Sequence, residues 1–192
     1  MEIYRFENFV SIEDQNSIIK FYLDNPKWET LKNEKKFSTQ QKNMLYTKEN
    51  NEHLIGIDSA MEILNKYNYE VAKVLNKEKL IEHNVFGMPP SLYKYSKGYS
   101  LPLHMDTKHY KWITYASVIY FNDDYEGGEL SFPKLNINIK PKARELIIFS
   151  QTENEYYHEI KRIKEGTRYS SATWWGSEKG IEDNVIGFNF EW

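Results

Sequence analysis

The stretch "WITYASVIYFNDDYEGGELSF", Trp112–Phe132, decides the fold class. Its first half, "WITYASVIYFN", is apolar at consecutive positions, so we expect both faces of the strand formed here to be buried. The following "DDYEGG" is rich in Asp and Gly and predicts a turn, after which "ELSF" begins another strand. A buried central strand that turns back into a second strand is typical of an antiparallel β core.

Short strand patterns continue on both sides of this stretch, and Gly, Pro, Asn or Asp separates most of them. About eight short strands from Leu92 onward predict a sandwich or barrel. The other segments are "SLYKYSKG", "LPLHMD", "INIK", "ELIIF", "YYHEI", "RYSSATWW" and "VIGFNFEW".

The N-terminal part of the chain predicts helices. Ser11 is expected to cap a helix from about Ile12 to Asp24, because Asp14 occupies the third helical position and Pro26 closes the segment. A second helix is predicted where apolar residues recur at spacings of three and four. These residues are Leu54, Ile57, Met61, Leu64, Tyr67, Val71 and Leu75.

The fold class is therefore mostly β with flanking helices that cover one face of the β core. We expect a single domain over residues 1–192, with helical support over about 1–80 and a β-barrel core over about 81–192. The polar residues 27–50 have no clear period and are expected to be mainly loop.

Composition narrows the range of partners and environments. The 192 residues carry a net charge of −3 without a basic stripe, which argues against nucleic acid as a partner. The apolar runs are too short to cross a bilayer, and the N-terminus lacks the pattern of a signal peptide. Because the sequence contains no cysteine, a metal site would be built from His, Asp and Glu. A soluble cytoplasmic protein is the expectation.

A candidate metal site lies in "LPLHMDTKHY", Leu101–Tyr110. His104 and Asp106 are two residues apart in a predicted strand, so both side chains are expected on one face, about 6.6 Å apart along its axis. His158 lies in a later predicted strand, 54 residues after His104 (158 − 104), and is the expected third ligand. Two histidines and one carboxylate form the facial triad of non-haem Fe(II) oxygenases, which leaves metal positions open for other ligands.

The other three histidines are less suitable as ligands. His53 and His83 lie in or beside the predicted helical half of the chain. His109 is three residues beyond Asp106 and falls on the opposite face of a continued strand, so a loop or surface position is expected.

Arg168 opens "RYSSATWW", so the side chains of Arg168, Ser170, Ala172 and Trp174 are expected to point the same way. If that face looks into the barrel, the guanidinium needs an anionic partner, because an unpaired buried charge is very costly. The sequence offers no obvious carboxylate at matching spacing, and a ligand carboxylate would fit the planar fork of Arg. A metal with open positions and an inward Arg together match a 2-oxo diacid.

The segment from about Leu92 to Trp175 resembles the prolyl 4-hydroxylase-like branch of the Fe(II)/2-oxoglutarate-dependent dioxygenases. The resemblance covers nearly half of the chain and runs in order through five pieces. These are "YKYSKGYSLPLHMD", "VIYFNDDYEGGELSF", "IKPKARELIIF", "YYHEI" and "TRYSSATWW".

The resemblance implies a double-stranded β-helix, or jelly-roll, core buttressed by helices, with Fe(II), 2-oxoglutarate and O2 as cofactors and ascorbate as reductant. It implies that His104, Asp106 and His158 are the iron ligands and catalytic centre, and that Arg168 holds the distal carboxylate of 2-oxoglutarate. Tyr95, Tyr120 and Ser170 would also contact this cosubstrate, while Gly127 and Gly128 would form a structural turn. Collagen-type relatives usually carry Lys where Arg168 stands, and the usual Gly of their "P-K-G" turn is missing from "KPKARE".

The expected function is hydroxylation of a C–H bond, and the favoured substrate is a prolyl residue in a peptide or protein. A free amino acid or another small molecule is the alternative substrate class, and a non-catalytic β-barrel binding module is the alternative function. Residues 27–50 and 84–91 are expected to form lids over the site.

Overall fold

The structure is a computed structural model that describes residues 2–24, 57–81, 84–108, 110–177 and 187–190. This part of the chain contains two α-helices and thirteen strands. The helices are α1 (Ile12–Asp24) and α2 (Ile57–Lys77). The strands are β1 (Ile3–Phe6), β2 (Val85–Gly87), β3 (Ser91–Ser96), β4 (Leu101–His104), β5 (Tyr115–Tyr120), β6 (Glu126–Gly127), β7 (Leu130–Phe132), β8 (Ile137–Ile139), β9 (Leu146–Ser150), β10 (His158–Ile160), β11 (Ile163–Glu165), β12 (Thr167–Ser177) and β13 (Phe188–Phe190).

The two helices have the amphipathic pattern that the sequence predicted. The Ser11 hydroxyl accepts a hydrogen bond from the Asp14 backbone N–H at 3.1 Å, which is the expected N-cap of α1. The Tyr67 hydroxyl of α2 donates to the Asp14 carboxylate at 2.6 Å and ties the two helices together. Leu64, Val71 and Leu75 of α2 are fully or almost fully buried, so their stripe is the packing face of the helix.

The strands form two main antiparallel sheets. The major sheet has the order β1-β9-β5-β12-β2-β13, with β3 also paired to β12. The minor sheet has the order β4-β10-β7-β8, and β6 pairs with β11 separately. The mostly β fold class with flanking helices, and the jelly-roll arrangement, are confirmed.

The major sheet divides the core into two layers. Its outer face packs against α1 and α2 through residues such as Ile119 and Trp175, which belong to the same cluster as Leu75. Its inner face packs against the minor sheet, where Tyr120 and Phe149 meet Phe132. Because side chains alternate along a strand, β12 supplies both layers, and its inner face bears the candidate site residues.

The prediction of a lid over residues 84–91 is wrong for its first part. Val85–Gly87 is a strand inside the major sheet, paired with β12 on one side and β13 on the other. Val85 is completely buried, so this segment belongs to the core. A side chain at Gly87 would lie 2.4 Å from the Trp175 ring, which explains why glycine occupies this position. The strand is too short to stand out from the neighbouring prolines by periodicity.

The predicted strand around His104 also ends earlier than expected. β4 stops at His104, and Asp106 begins a 3-10 turn over Asp106–Lys108. The prediction that His104 and Asp106 share one face of a strand is therefore wrong, because Asp106 lies in the turn that follows the strand. The Asp106 backbone N–H donates to the Gln151 side-chain oxygen at 3.0 Å instead of to a neighbouring strand.

Several predicted features lie outside the described residues. These are the loop over residues 27–50, the start of the apolar stripe at Leu54, and the three histidines His53, His83 and His109. In the described part of the chain, neither helix has the length and apolar character that spanning a membrane requires. The single domain over residues 1–192 stays a prediction.

Candidate functional site

Two histidines face each other across adjacent strands of the minor sheet. His104 ends β4, and its register partner in antiparallel β10 is His158. Directly opposed residues place their side chains on the same face of a sheet. The two imidazole rings accordingly lie 4.3 Å apart between centroids, tilted by 53°. Strand pairing therefore brings together residues that are 54 positions apart in the sequence (158 − 104).

Backbone carbonyls orient both imidazoles. His104 Nδ1 lies 2.9 Å from the Pro102 carbonyl oxygen, and His158 Nδ1 lies 3.2 Å from the Tyr156 carbonyl oxygen. Because a carbonyl accepts only, each Nδ1 carries the hydrogen, and each Nε2 keeps a free lone pair. This tautomer, fixed by a hydrogen bond behind the ring, is the arrangement found for histidines that bind metals.

The Asp106 carboxylate completes the group. Its Oδ1 lies 3.4 Å from His104 Nε2, and its Oδ2 lies 3.9 Å from His158 Nε2. One ligand atom from each residue falls within 4.8 Å of the other two. Two imidazole nitrogens and one carboxylate oxygen at these separations fit a single Fe(II) ion, which favours this mixed donor set. His104 and Asp106 are partly exposed, so additional ligands can approach from their side.

Neighbouring residues fix the position and charge of Asp106. Gln151 accepts the Asp106 backbone N–H, and the Trp174 indole donates a hydrogen bond to the Asp106 carboxylate. Burial alone would raise the pKa of Asp106, but its contacts with His104, His158 and Trp174 together outweigh burial and lower the pKa. Asp106 is thus an anion at neutral pH.

His158 is a neutral base in the folded protein. Its side chain is 6% exposed, and burial, followed by the nearby His104, lowers its pKa from 6.5 to about 4. A neutral imidazole is the form that binds a metal. His158 therefore needs no deprotonation before it binds a metal at neutral pH.

Arg168 lies on the inner face of β12, as its strand pattern predicted. It is 2% exposed, and its Nη1 donates to the Gly128 carbonyl at 3.4 Å. Among the described residues, no carboxylate forms an ion pair with Arg168, and its Nε is buried without a hydrogen-bond partner. A permanently charged group in this state is a candidate binding site for an anion.

Tyr95 and Tyr120 line the guanidinium. Tyr95 is the register partner of Arg168 in β3, and the Arg168 Cζ lies 5.6 Å from the centre of the Tyr95 ring. The Tyr120 ring centre lies 4.7 Å from the same Cζ, and its buried hydroxyl lacks a hydrogen-bond partner among the described residues. Burial raises the pKa of both tyrosines, so both hydroxyls stay protonated and can donate. Ser170 is buried opposite Tyr120 in the strand register.

Sequence reasoning missed three residues beside these groups. The strand pattern placed Trp174 on the same face as Arg168, six residues further on, but did not indicate its contact with Asp106. Gln151 follows the completely buried run Leu146–Ser150, and a polar residue directly after such a run was the available signal. Tyr125 lies in the predicted turn, where nothing in the local sequence indicated a buried hydroxyl.

A family model matches the part of the chain that contains these residues. Residues 90–176 match the family model described as the 2OG-Fe(II) oxygenase superfamily. This part of the chain, just under half of its length, is similar to that superfamily. The matched range contains His104, Asp106, His158 and Arg168. The superfamily name implies Fe(II) and 2-oxoglutarate as cofactors, together with O2.

Curated relatives of this oxygenase domain are prolyl hydroxylases. Prolyl 3-hydroxylase 2 of Homo sapiens is 36% identical over 70 residues, which are 34% of this chain. Prolyl 3-hydroxylase 2 of Rattus norvegicus gives the same values. The alignment spans about a tenth of the length of these relatives.

Solved structures share the fold over almost the whole chain. A viral collagen prolyl hydroxylase from Paramecium Bursaria Chlorella virus-1, in complex with 2OG, has a TM-score of 0.67 at 17% identity, covering 92% of this chain and 96% of its own. A prolyl hydroxylase from Trichoplax adhaerens, in complex with a peptide fragment of the hypoxia inducible factor, has a TM-score of 0.68 at 16% identity, covering 93% and 85%. A Pseudomonas putida prolyl-4-hydroxylase has a TM-score of 0.67 at 14% identity, covering 92% and 93%.

Proposed function

We propose that the protein is an Fe(II)- and 2-oxoglutarate-dependent oxygenase that hydroxylates a C–H bond. The observation that carries this proposal is the convergence of one ligand atom each from His104, Asp106 and His158 within 4.8 Å. Iron bound there, with 2-oxoglutarate and O2, supplies an oxidant that inserts one oxygen atom into the substrate C–H bond. The other oxygen atom goes into succinate, and CO2 is released.

The three metal-binding residues have distinct roles in the proposal. His104 and His158 donate Nε2 lone pairs, and the carbonyls behind their Nδ1 atoms hold the rings in place. Asp106 supplies the negative charge, and the Trp174 indole restrains its carboxylate. A metal held by these three residues would keep other positions available to the cosubstrate and O2.

Arg168 holds the distal carboxylate of 2-oxoglutarate in this proposal. Its support is the buried guanidinium that lacks a carboxylate partner among the described residues. The Tyr120 hydroxyl donates to the same carboxylate, while Tyr95 forms the wall on the other side of the guanidinium. Ser170 lines the site beside Tyr120. The bound cosubstrate thereby satisfies groups that the described residues leave unpaired.

The proposed substrate is a prolyl residue in a peptide or protein. Support comes from the names of the relatives, which are prolyl hydroxylases, and from the peptide bound to the Trichoplax adhaerens protein. A panel of proline-containing peptides, free proline and other amino acids tests this class by a mass gain of one oxygen atom. Oxygen gain on the free amino acids alone would replace the peptide substrate with a small molecule.

Succinate formation tests the enzymatic activity. The wild type and His104→Ala are incubated with Fe(II), 2-oxoglutarate and the peptide panel, with and without ascorbate, which we propose as the reductant. We expect succinate from the wild type and at least a hundredfold less from His104→Ala, because the metal loses one of its three ligands. Equal turnover in both would contradict the proposal.

A non-catalytic binding module with the same fold is distinguished by spectroscopy. Anaerobic addition of Fe(II) and 2-oxoglutarate to the oxygenase should give a charge-transfer band in the visible region, because the cosubstrate chelates the metal. A flat spectrum would favour the module. A cytoplasmic location and the absence of a nucleic-acid partner stay predictions, which fractionation of cells and a nucleic-acid binding assay at defined salt would test.

A further inference from the structure

Tyr125 has a buried hydroxyl that forms no hydrogen bond with the described residues. The residue is 2% exposed, and its hydroxyl lacks a hydrogen-bond partner among the described residues. Buried polar groups in native proteins nearly always have a partner. An orphaned phenol therefore indicates a ligand or an ordered solvent molecule at this position.

The surroundings of Tyr125 lead to Arg168. The Tyr125 ring lies against Gly128, since a Cβ added to that glycine would be 3.0 Å from Tyr125 Cε2. The carbonyl oxygen of the same Gly128 accepts the hydrogen bond from Arg168 Nη1. Gly128 has φ +68, a conformation that a residue with a side chain rarely adopts. This glycine consequently lets the phenol and the guanidinium approach the same point of the backbone.

Three unpaired polar atoms meet in this region. They are the hydroxyls of Tyr120 and Tyr125 and the Nε of Arg168, all buried and without partners among the described residues. Tyr125 interacts electrostatically with both other residues, and burial raises its pKa, so its hydroxyl stays protonated. All three atoms are hydrogen-bond donors, and both tyrosines interact electrostatically with the Arg168 guanidinium, a combination that suits an anion with several acceptor atoms.

We propose that the Tyr125 hydroxyl donates a hydrogen bond to the carboxylate that Arg168 holds, and so positions the tail of the cosubstrate. This inference rests on the proposed function and adds a third side chain to the tail-binding site. The three donors would also select 2-oxo acids that carry a second carboxylate, because a 2-oxo acid without one would leave all three unpaired.

The test compares Tyr125→Phe with the wild type, using Mn(II) as a redox-inactive metal and isothermal titration with 2-oxoglutarate. The variant retains the ring against Gly128 and loses a hydroxyl that has no partner in the described part of the fold, so we expect it to fold. The same titration with Mn(II) alone measures whether the metal site is intact. Tyr115→Phe is the matched control, because Tyr115 is a buried tyrosine of the major sheet that packs on the helix side.

The expected result is that Tyr125→Phe weakens 2-oxoglutarate binding about tenfold or more and leaves Mn(II) affinity unchanged, while Tyr115→Phe changes neither. Affinity within about threefold of the wild type would overturn the inference and leave the proposed function standing. A parallel loss of Mn(II) affinity would assign Tyr125 a structural role and also overturn it. If the wild type does not bind 2-oxoglutarate, the proposed function fails, and this inference fails with it.

Discussion

Trp174 and Trp175 are neighbours in β12, yet they belong to two different regions of the molecule. The Trp175 ring is completely buried on the helix side, and its indole donates to the Ser117 hydroxyl at 2.7 Å. The Trp174 ring is partly buried on the inner side, and its indole donates to the Asp106 carboxylate. One strand therefore builds a stable core with one face and a candidate site with the other.

The two faces also differ in how their polar groups are satisfied. On the helix side, Thr173 donates to the Asn68 side-chain oxygen at 3.1 Å, and Trp175 donates to Ser117. On the inner side, the Tyr120 hydroxyl and the Arg168 Nε are buried without partners in the described part of the chain. The contrast indicates that the inner face keeps donors for ligands at some cost to the stability of the ligand-free protein.

The largest expected effect comes from Arg168→Met, which removes the charge and keeps most of the volume. We expect 2-oxoglutarate affinity to fall by about a hundredfold or more, because the cosubstrate loses its charged partner. The unfolding free energy of the ligand-free variant should equal or exceed that of the wild type, since an unpaired buried charge has been removed. Ligand titration and urea unfolding measure the two quantities.

Arg144→Met is the matched control for this experiment. The Arg144 side chain donates to the Asn8 side-chain oxygen and to the Val10 carbonyl, so it has protein partners. Its removal should lower stability and leave 2-oxoglutarate affinity unchanged. If Arg168→Met destabilised the ligand-free protein as much as Arg144→Met, the claim that the inner face of β12 keeps a costly unpaired charge would be wrong.

An intermediate effect is expected from pH in the metal-free protein. The folded state holds His158 at a pKa of about 4, below its ordinary value of 6.5. Between these values the His158 imidazole is protonated in the unfolded chain but not in the folded protein. The free energy of unfolding therefore decreases as pH falls from 6.5 to about 4. This loss is about 3 kcal/mol for the single group.

Urea unfolding of metal-free protein at pH 7 and at pH 4.5 checks this expectation. The variant His158→Gln lacks the titrating group and controls for the carboxylates that also titrate in acid. The wild type should lose more stability than the variant over this interval. Equal losses of stability in both proteins would show that folding does not lower the pKa of His158.

The smallest effects are expected from substitutions of Trp174 and Trp175, which should affect different properties. Trp174→Phe should weaken Fe(II) binding about tenfold to a hundredfold, because the Asp106 carboxylate loses a donor that orients it. Trp175→Phe should leave Fe(II) affinity unchanged and lower the unfolding free energy by about 1–3 kcal/mol through the lost hydrogen bond and packing. Metal titration and urea unfolding of both variants measure these changes. If the two variants changed Fe(II) affinity and unfolding free energy alike, the two faces of β12 would not have separate roles.

Local sequence patterns predicted the parts of the fold that depend on local physics. The Ser11 cap and the bounds of α1 follow from side-chain chemistry within one helical turn. The buried strand β5 follows from an apolar run, and the inward direction of Arg168 follows from strand alternation.

Other features depend on tertiary contacts that periodicity does not encode. β2 has three residues, too few for a period to emerge. Asp106 reaches the two histidines from a turn held by Gln151, instead of from the strand that the sequence predicted. The roles of Trp174 and Tyr125 arise from residues distant in sequence, and a single sequence without coordinates does not indicate them. The assignment of His104, Asp106 and His158 as iron ligands stays a prediction.

Anaerobic titration of the metal-free protein with Fe(II), comparing wild type with Asp106→Ala, tests the central claim most directly. We expect one Fe(II) bound per wild-type chain and at least a hundredfold weaker binding by the variant, which keeps both histidines but loses the Asp106 carboxylate. If the wild type binds no Fe(II), or the variant binds it equally well, these three residues do not form an iron site.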